Sequence, residues 1–177
     1  MGKPLVFDAT PLIYLTRASL SKFFKDMPEE KFTTTRVFNE VILEGKSKGA
    51  PEASLLESLF KEETIHVRNP ADKEYFRFVK EMAAVSERHP LHDAEAEVLC
   101  LAKELNGVSI ADDKAVRAVA KLLNLEMHGS GYLLGRIYLT KKIKKEKLLE
   151  KVREMHNSGW HVSVEDYLKI TDYLTGL

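Results

Sequence analysis

Short apolar runs alternate along this chain with longer segments in which apolar residues recur at helical spacing. The short runs predict β-strands, because each is brief and is stopped by a polar or turn-forming residue. The five predicted strands are Leu5–Phe7, Lys31–Thr35, Thr64–Val67, Val108–Ala111 and Leu125–His128. Strands that alternate with helices are typical of βαβ units, so the pattern predicts an α/β fold with a parallel sheet covered by helices on both faces.

Helical periodicity fills the intervals between the predicted strands. Pro11 suits the first turn of the first helix, and Thr10 is placed to cap it. The strongest predicted helix, Leu91–Leu105, follows a break at His89–Pro90 and has an apolar stripe of Ala94, Val98, Leu101, Ala102 and Leu105. The other predicted helical segments are Leu20–Lys25, one through Val37 and Ile42, Pro51–Phe60, Pro70–Val85, Val116–Leu123, Tyr132–Thr140, Lys144–Met155 and one after Ser163. We expect residues 1–177 to form a single domain with a helical C-terminal extension from about residue 141.

Composition and charge exclude several classes of protein. Hydrophobic residues make up 44% of the chain and charged residues 31%, as in an ordinary globular domain. Lys plus Arg and Asp plus Glu balance at 27 each, so any binding of nucleic acid must rest on a local patch or on metal ions. The single cysteine, Cys100, excludes an intrachain disulfide and a cysteine-based zinc site, and its apolar neighbours predict a buried, inert thiol.

Source and location are also indicated by composition. The chain has no glutamine and many Lys and Glu residues, which favours a thermophilic source. No apolar stretch approaches the roughly 20 residues that a membrane helix needs. Residues 1–4 lead directly into the first predicted strand without the pattern of a signal peptide. We therefore expect a cytoplasmic protein that does not contact a membrane.

Carboxylates stand where the predicted strands end. Asp8 follows the first strand, and Asp112 and Asp113 follow the fourth. If these strands are neighbours, as in doubly wound sheets, their acids face each other across a crevice at the carboxyl edge. Glu95 lies in the first turn of the helix that leads into the fourth strand, and Glu40 lies about one turn into the helix after the second strand. Both positions belong to the same edge, so these acids are predicted to converge.

Clustered carboxylates repel one another unless a cation lies among them. Oxygen ligands of this kind suit Mg²⁺ and Mn²⁺, which can polarise a phosphoryl oxygen, lower the pKa of a bound water and stabilise a leaving alkoxide. Hydrolysis of a phosphodiester needs all of these effects. Thr10, close to a predicted helix N-terminus, is placed to donate a hydrogen bond to a carboxylate or a phosphate.

Each acid also has a purely structural interpretation. Asp8 alone is compatible with a turn residue or a helix cap, and Glu40 alone with a solvated helix position. Glu95 and Asp93 are both favoured near a helix N-terminus by the helix dipole, and Asp93 is a candidate cap. One of the neighbouring residues Asp112 and Asp113 is expected to cap the helix that follows. The prediction of a metal site therefore rests on the whole set.

Four sequence motifs resemble those of the PIN-domain family. They are Val6–Leu15, Val37–Val41, His92–Ala102 and Ser109–Arg117, and each carries an acid where the family has one. The segment from Gly129 and the helical tail are similar to a prokaryotic subgroup related to toxin-type ribonucleases. The resemblance covers nearly the whole chain, and it implies a three-layer α/β/α PIN-like fold with a central parallel sheet of about five strands.

The resemblance also implies a function. The family's acidic positions are matched by Asp8, Glu40, Glu95 and Asp112, with Asp113 as an adjacent candidate metal ligand. It implies a Mg²⁺- or Mn²⁺-dependent endoribonuclease that cleaves single-stranded RNA, often as a homodimer and in many cases as a toxin held by a cognate antitoxin. Thr10, Arg36 and Arg117 are the candidate substrate contacts by position. Two departures from the family pattern are Ala111, where many members have Thr or Ser, and Glu95, where Asp is more frequent.

Several alternatives stay open at this stage. One is a non-catalytic PIN-like module that binds RNA or a protein, and another is a phosphohydrolase with Asp8 as its nucleophile, although that class places a second Asp two residues later. The run Lys141–Lys147 is compatible with a phosphate-binding patch or with a solvated helix face. We expect Gly129–Gly131 to form a tight turn from strand to helix, and Trp160 to anchor the C-terminal helix by packing.

Overall fold

Short parallel strands form the centre of the molecule, in a computed structural model that describes residues 2–85 and 91–176. Within those ranges the sheet has five strands in the order β3-β2-β1-β4-β5, and each neighbouring pair is parallel. The strands are β1 (Leu5–Phe7), β2 (Lys31–Thr33), β3 (His66–Val67), β4 (Val108–Ile110) and β5 (Met127–His128). The predicted α/β fold with a parallel sheet is confirmed, and β1 and β4 are neighbours, which is the condition under which their acids were expected to meet.

Helices occupy every connection between the strands. They are α1 (Ala9–Arg17), a 3-10 helix (Ser21–Asp26), α2 (Thr35–Phe38), a π-helical stretch (Asn39–Glu44), α3 (Gly45–Ser47), α4 (Glu52–Lys61), α5 (Lys73–Val85), α6 (Asp93–Glu104), α7 (Lys114–Leu122), α8 (Ser130–Leu139), α9 (Lys145–Asn157) and α10 (Val164–Gly176). The predicted break at His89–Pro90 lies outside the described residues. Across the ranges the structure covers, none of these helices is both long and apolar enough to cross a membrane.

The end of β2 and the start of α1 differ from the prediction. The sequence placed the end of the second strand at Thr35, but β2 ends at Thr33 because Thr34 caps α2, its side chain accepting a hydrogen bond from the Val37 amide at 3.4 Å. The sequence also made Thr10 the cap of α1. That helix begins at Ala9, so Asp8 takes the N-cap position and Thr10 lies inside the first turn. A side chain at the N-cap position usually caps the helix, but the Asp8 side chain makes no capping hydrogen bond. Its carboxyl is therefore not used as a helix cap.

The sheet is covered on both faces by separate apolar clusters. The larger one includes β1, α1, α4 and α8, and the smaller one joins α5, α6 and α7. Helix α6 contributes to both, with Val98 and Leu101 in the first and Leu99 and Cys100 in the second. Its burial therefore extends well beyond the predicted stripe, whose members Ala94 and Leu105 are only partly buried. The arrangement is the expected three-layer α/β/α sandwich.

The C-terminal helices are part of the larger core. Residues of α9, of the α9–α10 connection and of α10 are buried in the same cluster as β1, namely Leu148, Val152, Met155, Trp160 and Leu174. Trp160 is the largest fully buried side chain among the described residues. The segment that the sequence marked as a C-terminal extension therefore contributes to the centre of the fold, and it reaches the carboxyl edge of the sheet through Trp160.

Candidate active site

Asp8 and Asp112 lie at the same edge of the sheet because β1 and β4 are neighbours. The two strands are in register from Leu5 opposite Val108 to Phe7 opposite Ile110. Just beyond them, the amide of Asp8 donates a hydrogen bond to the carbonyl of Ile110 at 2.9 Å. Asp112 follows two residues later on the neighbouring chain segment. This point, between the two halves of a doubly wound sheet, is where such folds bind ligands.

Asp8 is a buried acid surrounded by other acids. Its pKa is raised from 3.8 to about 7, chiefly by burial and also by the negative charges of Glu95, Glu40 and Asp112, against the opposing effect of the hydrogen bond from the Ala9 amide. Only 6% of the residue is exposed to solvent. The charges of Glu40, Glu95 and Asp112 therefore all act on the Asp8 carboxyl.

Two other buried acids show how the fold usually stabilises such groups. Glu52 forms an ion pair with Arg17 at 2.6 Å, and Glu29 forms one with Arg136. Both acids are about as buried as Asp8. Among the described residues, Asp8 has no ion pair with Lys, Arg or His. A buried carboxylate without a cation is costly, so Asp8 is the acid in this fold that most needs a cationic ligand.

Glu40 and Glu95, the other two acids that act on Asp8, come from helical segments that follow other parts of the chain. Partial loss of solvent raises the pKa of both side chains. Glu40 belongs to the π-helical stretch that follows α2, a helix irregularity often found at functional sites. Glu95 lies in the first turn of α6, where its Oε2 accepts a hydrogen bond from the His92 amide at 2.8 Å. The N-cap of α6 is therefore His92, which corrects the prediction that Asp93 caps this helix.

Arg36 shares an open groove with Glu40 and is already paired with acids. Its Nε donates to Glu97 Oε1 at 2.7 Å, and its Nη2 lies 3.7 Å from Asp93. Asp93 also pairs with Lys80 at 2.9 Å. The groove on this side is lined by Arg36, Asn39, Glu40, Glu44, Lys80, Leu91, His92, Asp93 and Ala94. The predicted substrate contact of Arg36 would thus compete with these ion pairs.

Asp112 is held by three hydrogen bonds from residues distant in sequence. The Ser130 amide donates to Oδ1 at 2.7 Å, and the Ser130 hydroxyl donates to Oδ2 at 2.6 Å. The indole Nε1 of Trp160 donates to the same Oδ2 at 2.9 Å. Sequence reasoning missed both partners, since it treated the segment of Ser130 as a turn and Trp160 as a packing residue. A serine that opens a helix directly after a strand was the only local signal that pointed to Ser130.

Asp113 has a different role from its neighbour. Its Oδ1 accepts hydrogen bonds from the amides of Ala115 at 2.6 Å and Val116 at 3.1 Å, so it caps α7. This decides which of the two adjacent acids is the helix cap, a point the sequence left open. The capping bonds use one oxygen of Asp113, whereas both oxygens of Asp112 are oriented by the donors from α8 and Trp160.

Arg117 and Thr10 lie at the same edge. A Cβ placed on Gly129 would lie 2.7 Å from Asp112 Oδ1 and 3.4 Å from Arg117 Nη2, so the carboxylate and the guanidinium face each other across this glycine. Gly129 is required here because any larger residue would displace Asp112. Thr10 is half-buried in the first turn of α1, two residues beyond Asp8.

The acids suit a hard divalent cation by donor type and by charge. All four are carboxylates, which Mg²⁺ and Mn²⁺ prefer, and Asp8 is destabilised by its neighbours in a way that a cation would reverse. Within residues 2–85 and 91–176, however, no three His, Cys, Asp or Glu side chains already form a group that could hold a metal ion. The acids are within electrostatic range of one another, and coordination would require their side chains to close together.

The lysine-rich segment makes contacts within the protein. Lys142 pairs with Asp26 at 2.6 Å, Lys147 pairs with Glu150 at 2.6 Å, and Lys145 donates to the Thr175 carbonyl at 2.9 Å. The first contact joins the α8–α9 connection to the 3-10 helix, the second lies within α9, and the third joins α9 to α10. Of the two interpretations of Lys141–Lys147, they favour a structural surface over a phosphate-binding patch.

Comparison with known proteins finds a family model that matches nearly the whole chain and a relative that matches part of it. A protein-family model described as a PIN domain matches residues 4–175. A protein named endoribonuclease Nob1, from Pyrococcus abyssi, is 36% identical over 107 residues, which cover 60% of this chain. The same alignment covers 62% of that relative, so the two proteins are compared over less than two thirds of its length.

Proposed function

Because this chain belongs to the PIN-domain family, we propose that it is a metal-dependent endoribonuclease that cleaves single-stranded RNA. The observation that carries the proposal is the buried carboxyl of Asp8, which lies among three other acids and, in the described part of the chain, has no ion pair with a basic side chain. The name of the archaeal relative, an endoribonuclease, favours RNA as the substrate.

PIN nucleases generally use divalent metal ions, and the candidate ligands here are Asp8, Glu40, Glu95 and Asp112. Bound among these carboxylates, Mg²⁺ or Mn²⁺ would polarise the scissile phosphate, acidify an attacking water and stabilise the leaving oxygen. Asp8, at the end of β1, is the central ligand in this proposal because its charge is the least compensated. We assign Asp113 to the cap of α7. Because Asp112 is the preceding residue, this cap also fixes the position of Asp112.

The remaining residues of the site orient the acids and the substrate. Ser130 and Trp160 hold the carboxylate of Asp112 in one rotamer through three donated hydrogen bonds, which prepares it to bind a cation. Arg117, which faces Asp112 across Gly129, is placed to bind a phosphate of the RNA. Thr10 is the candidate donor beside Asp8.

The depth of the site favours an unpaired strand. Asp8 is nearly buried, so a scissile phosphate must approach its carboxyl closely. The phosphates of a rigid duplex are fixed by both strands, whereas a single strand can bend into the crevice and turn its bases outward.

The test is cleavage of a pool of single-stranded RNAs in Mn²⁺, with and without EDTA. We expect the wild-type protein to cleave only in Mn²⁺, and Asp8→Asn and Asp112→Asn to lose at least about a hundredfold of that activity, more than is typical when a group that merely orients a metal ligand is removed. Glu62→Gln, at an exposed position just beyond α4, is the matched control and should cleave like wild type.

Retained cleavage in both Asp variants would reject the proposed metal site. A second candidate, a non-catalytic module that binds RNA, is favoured by the finding that the acids do not already form a coordination group in the described residues. That candidate predicts RNA binding without cleavage and no binding of Mn²⁺ by calorimetry, in a protein whose circular dichroism shows an intact fold.

A further inference from the structure

A second recess opens directly beside Asp112. It is a cavity of about 540 Å³ between the N-terminal ends of α7 and α8 on one side and α10 on the other. Its volume lies within the range of pockets that bind small organic ligands. Its lining includes basic residues (Lys114, Arg117, Arg136, Lys169), the acids Asp112 and Asp166, aromatic or imidazole rings (His128, Tyr132, Tyr173) and apolar side chains (Leu139, Val162, Ile170). Apart from Asp112 and Arg117, none of these side chains was needed to explain the acidic site.

Basic and acidic side chains both line the cavity, and two of the basic ones form no ion pair in the described part of the chain. Two of its basic residues already have acidic partners, since Arg136 pairs with Glu29 and Lys169 pairs with Glu165. Lys114 and Arg117, by contrast, form no salt bridge with any residue the structure describes. Both lie on α7 at the entrance nearest to Asp112. A phosphate group would supply the anion that these two side chains lack.

The same cavity has an aromatic wall. The rings of His128 and Tyr132 are stacked, with centroids 4.3 Å apart and planes inclined by only 10°. Burial raises the pKa of Tyr132, so its hydroxyl stays protonated and can donate a hydrogen bond at neutral pH. Stacking on aromatic rings is how proteins bind unpaired bases without strong preference for sequence. Positive charge beside stacked rings is therefore a combination that suits a nucleotide.

We propose that this cavity binds one unpaired nucleotide of the RNA, with its phosphate at Arg117 and Lys114 and its base against His128 and Tyr132. The inference deepens the proposed function and rests on it for the identity of the polymer. Because Arg117 and Asp112 face each other across Gly129, a nucleotide bound here lies next to the acidic site. The cavity would thereby fix the register of the strand with respect to the phosphate that is cleaved.

The test is calorimetric titration with AMP, CMP, GMP and UMP in EDTA, where no cleavage can occur. We expect saturable binding that weakens as salt is raised, because a phosphate contact releases counterions. Arg117→Ala should weaken binding about tenfold through the loss of a charge-assisted contact. Tyr132→Leu should weaken it by a similar factor, roughly tenfold, through the loss of stacking. Trp160, the only tryptophan of the chain, lines the cavity, so its fluorescence should change on binding.

Lys121→Ala is the matched control, since Lys121 lies one turn further along α7 and does not face the cavity. It should bind nucleotides like wild type. Inorganic phosphate and uncharged nucleosides form the other arms, and each should bind more weakly than the monophosphate. Absence of saturable binding by all four nucleotides would overturn the proposal. So would binding that neither Arg117→Ala nor Tyr132→Leu weakens.

The result of the nucleotide-binding test can be distinguished from the result of the RNA-cleavage test. If the RNA pool remains uncut in Mn²⁺ while monophosphates bind in an Arg117-dependent way, the proposal of nucleotide binding in the cavity is supported and the catalytic proposal fails. If the RNA is cut but monophosphates do not bind, the catalytic proposal is supported and the cavity proposal fails. Where both hold, Tyr132→Leu should raise KM for RNA with a smaller effect on kcat, since the residue contacts the substrate away from the reacting bond.

Discussion

At the scale of single residues, the contact between Trp160 and Asp112 links the C-terminal part of the chain to the acidic site. The indole is almost completely buried, and its N–H is used by one carboxylate oxygen of Asp112. A buried donor that is satisfied by a functional carboxylate has two effects, because it stabilises the fold and selects one rotamer of the acid. Trp160 is thus a positioning residue in the proposed mechanism.

We predict that Trp160→Phe, which keeps an aromatic ring but removes the N–H donor, lowers kcat for RNA cleavage in Mn²⁺ by about 10- to 100-fold. The affinity for Mn²⁺, measured by calorimetry, should fall as well, which a purely structural role would not cause. Met155→Leu conserves volume in the same buried cluster and should leave both quantities unchanged. Unchanged metal affinity in Trp160→Phe would show that Ser130 alone orients Asp112.

At the scale of elements, α8 and α10 meet through glycines. Cβ atoms placed on Gly131 and Gly135 would lie 2.7 Å from Ile170 and 2.8 Å from Tyr173, respectively. These distances are shorter than real side chains tolerate, so α10 can lie this close to α8 only because both positions lack a side chain. The close approach matters for function because α10 forms one wall of the cavity beside Asp112.

We predict that Gly131→Ala loosens α10 and destabilises the protein by about 1–3 kcal/mol, since Ile170 must move away from the new methyl group. Amide hydrogen exchange should become faster in α10, while exchange in α5 stays the same. Gly176→Ala, in the last residue of α10, is the control because a Cβ there meets nothing within 4 Å. Equal exchange in the two variants would contradict the proposed packing.

The whole molecule has a stability that depends on the charge of Asp8. In the metal-free protein its pKa is about 7 when folded, compared with 3.8 for the ordinary side chain. Between about pH 4 and pH 7 the unfolded chain has therefore lost a proton that the folded chain still holds. The stability that the protonated form provides is complete below pH 4 and is lost as the pH rises through 7.

We predict that the Asp8→Asn variant loses much less stability than wild type as the pH rises. In urea unfolding with EDTA, the difference in stability between pH 4 and pH 8 should be smaller in the variant, by an amount on the order of 4 kcal/mol. Mn²⁺ at a hundred times its Kd should stabilise wild type at pH 8 by about 2.7 kcal/mol and leave the variant unaffected. An identical dependence on pH in both proteins would show that Asp8 titrates normally.

Much of the fold and part of the site followed from sequence. Apolar runs of short or helical period are local signals, so the strands β1 and β4 and the helix α6 were predicted close to their observed positions. Asp8 and Asp112 were predicted to meet because the carboxyl ends of neighbouring parallel strands share an edge. The cap of α1 was predicted wrongly, since Thr10 and Asp8 are both acceptable near a helix start and the sequence does not decide between them.

The sequence by itself thus determined an α/β fold, the family of the chain and the acids at the ends of its strands, because hydrophobic periodicity and the family's motifs are encoded within short segments. Only the tertiary structure decided which groups surround those acids. Trp160 lies 48 residues from Asp112 and Ser130 lies 18 residues from it, and no local pattern predicts such hydrogen bonds. The ion pairs of Arg36 and the cavity beside α10 likewise depend on how separate elements pack, which is decided by the complete core and not by any one segment.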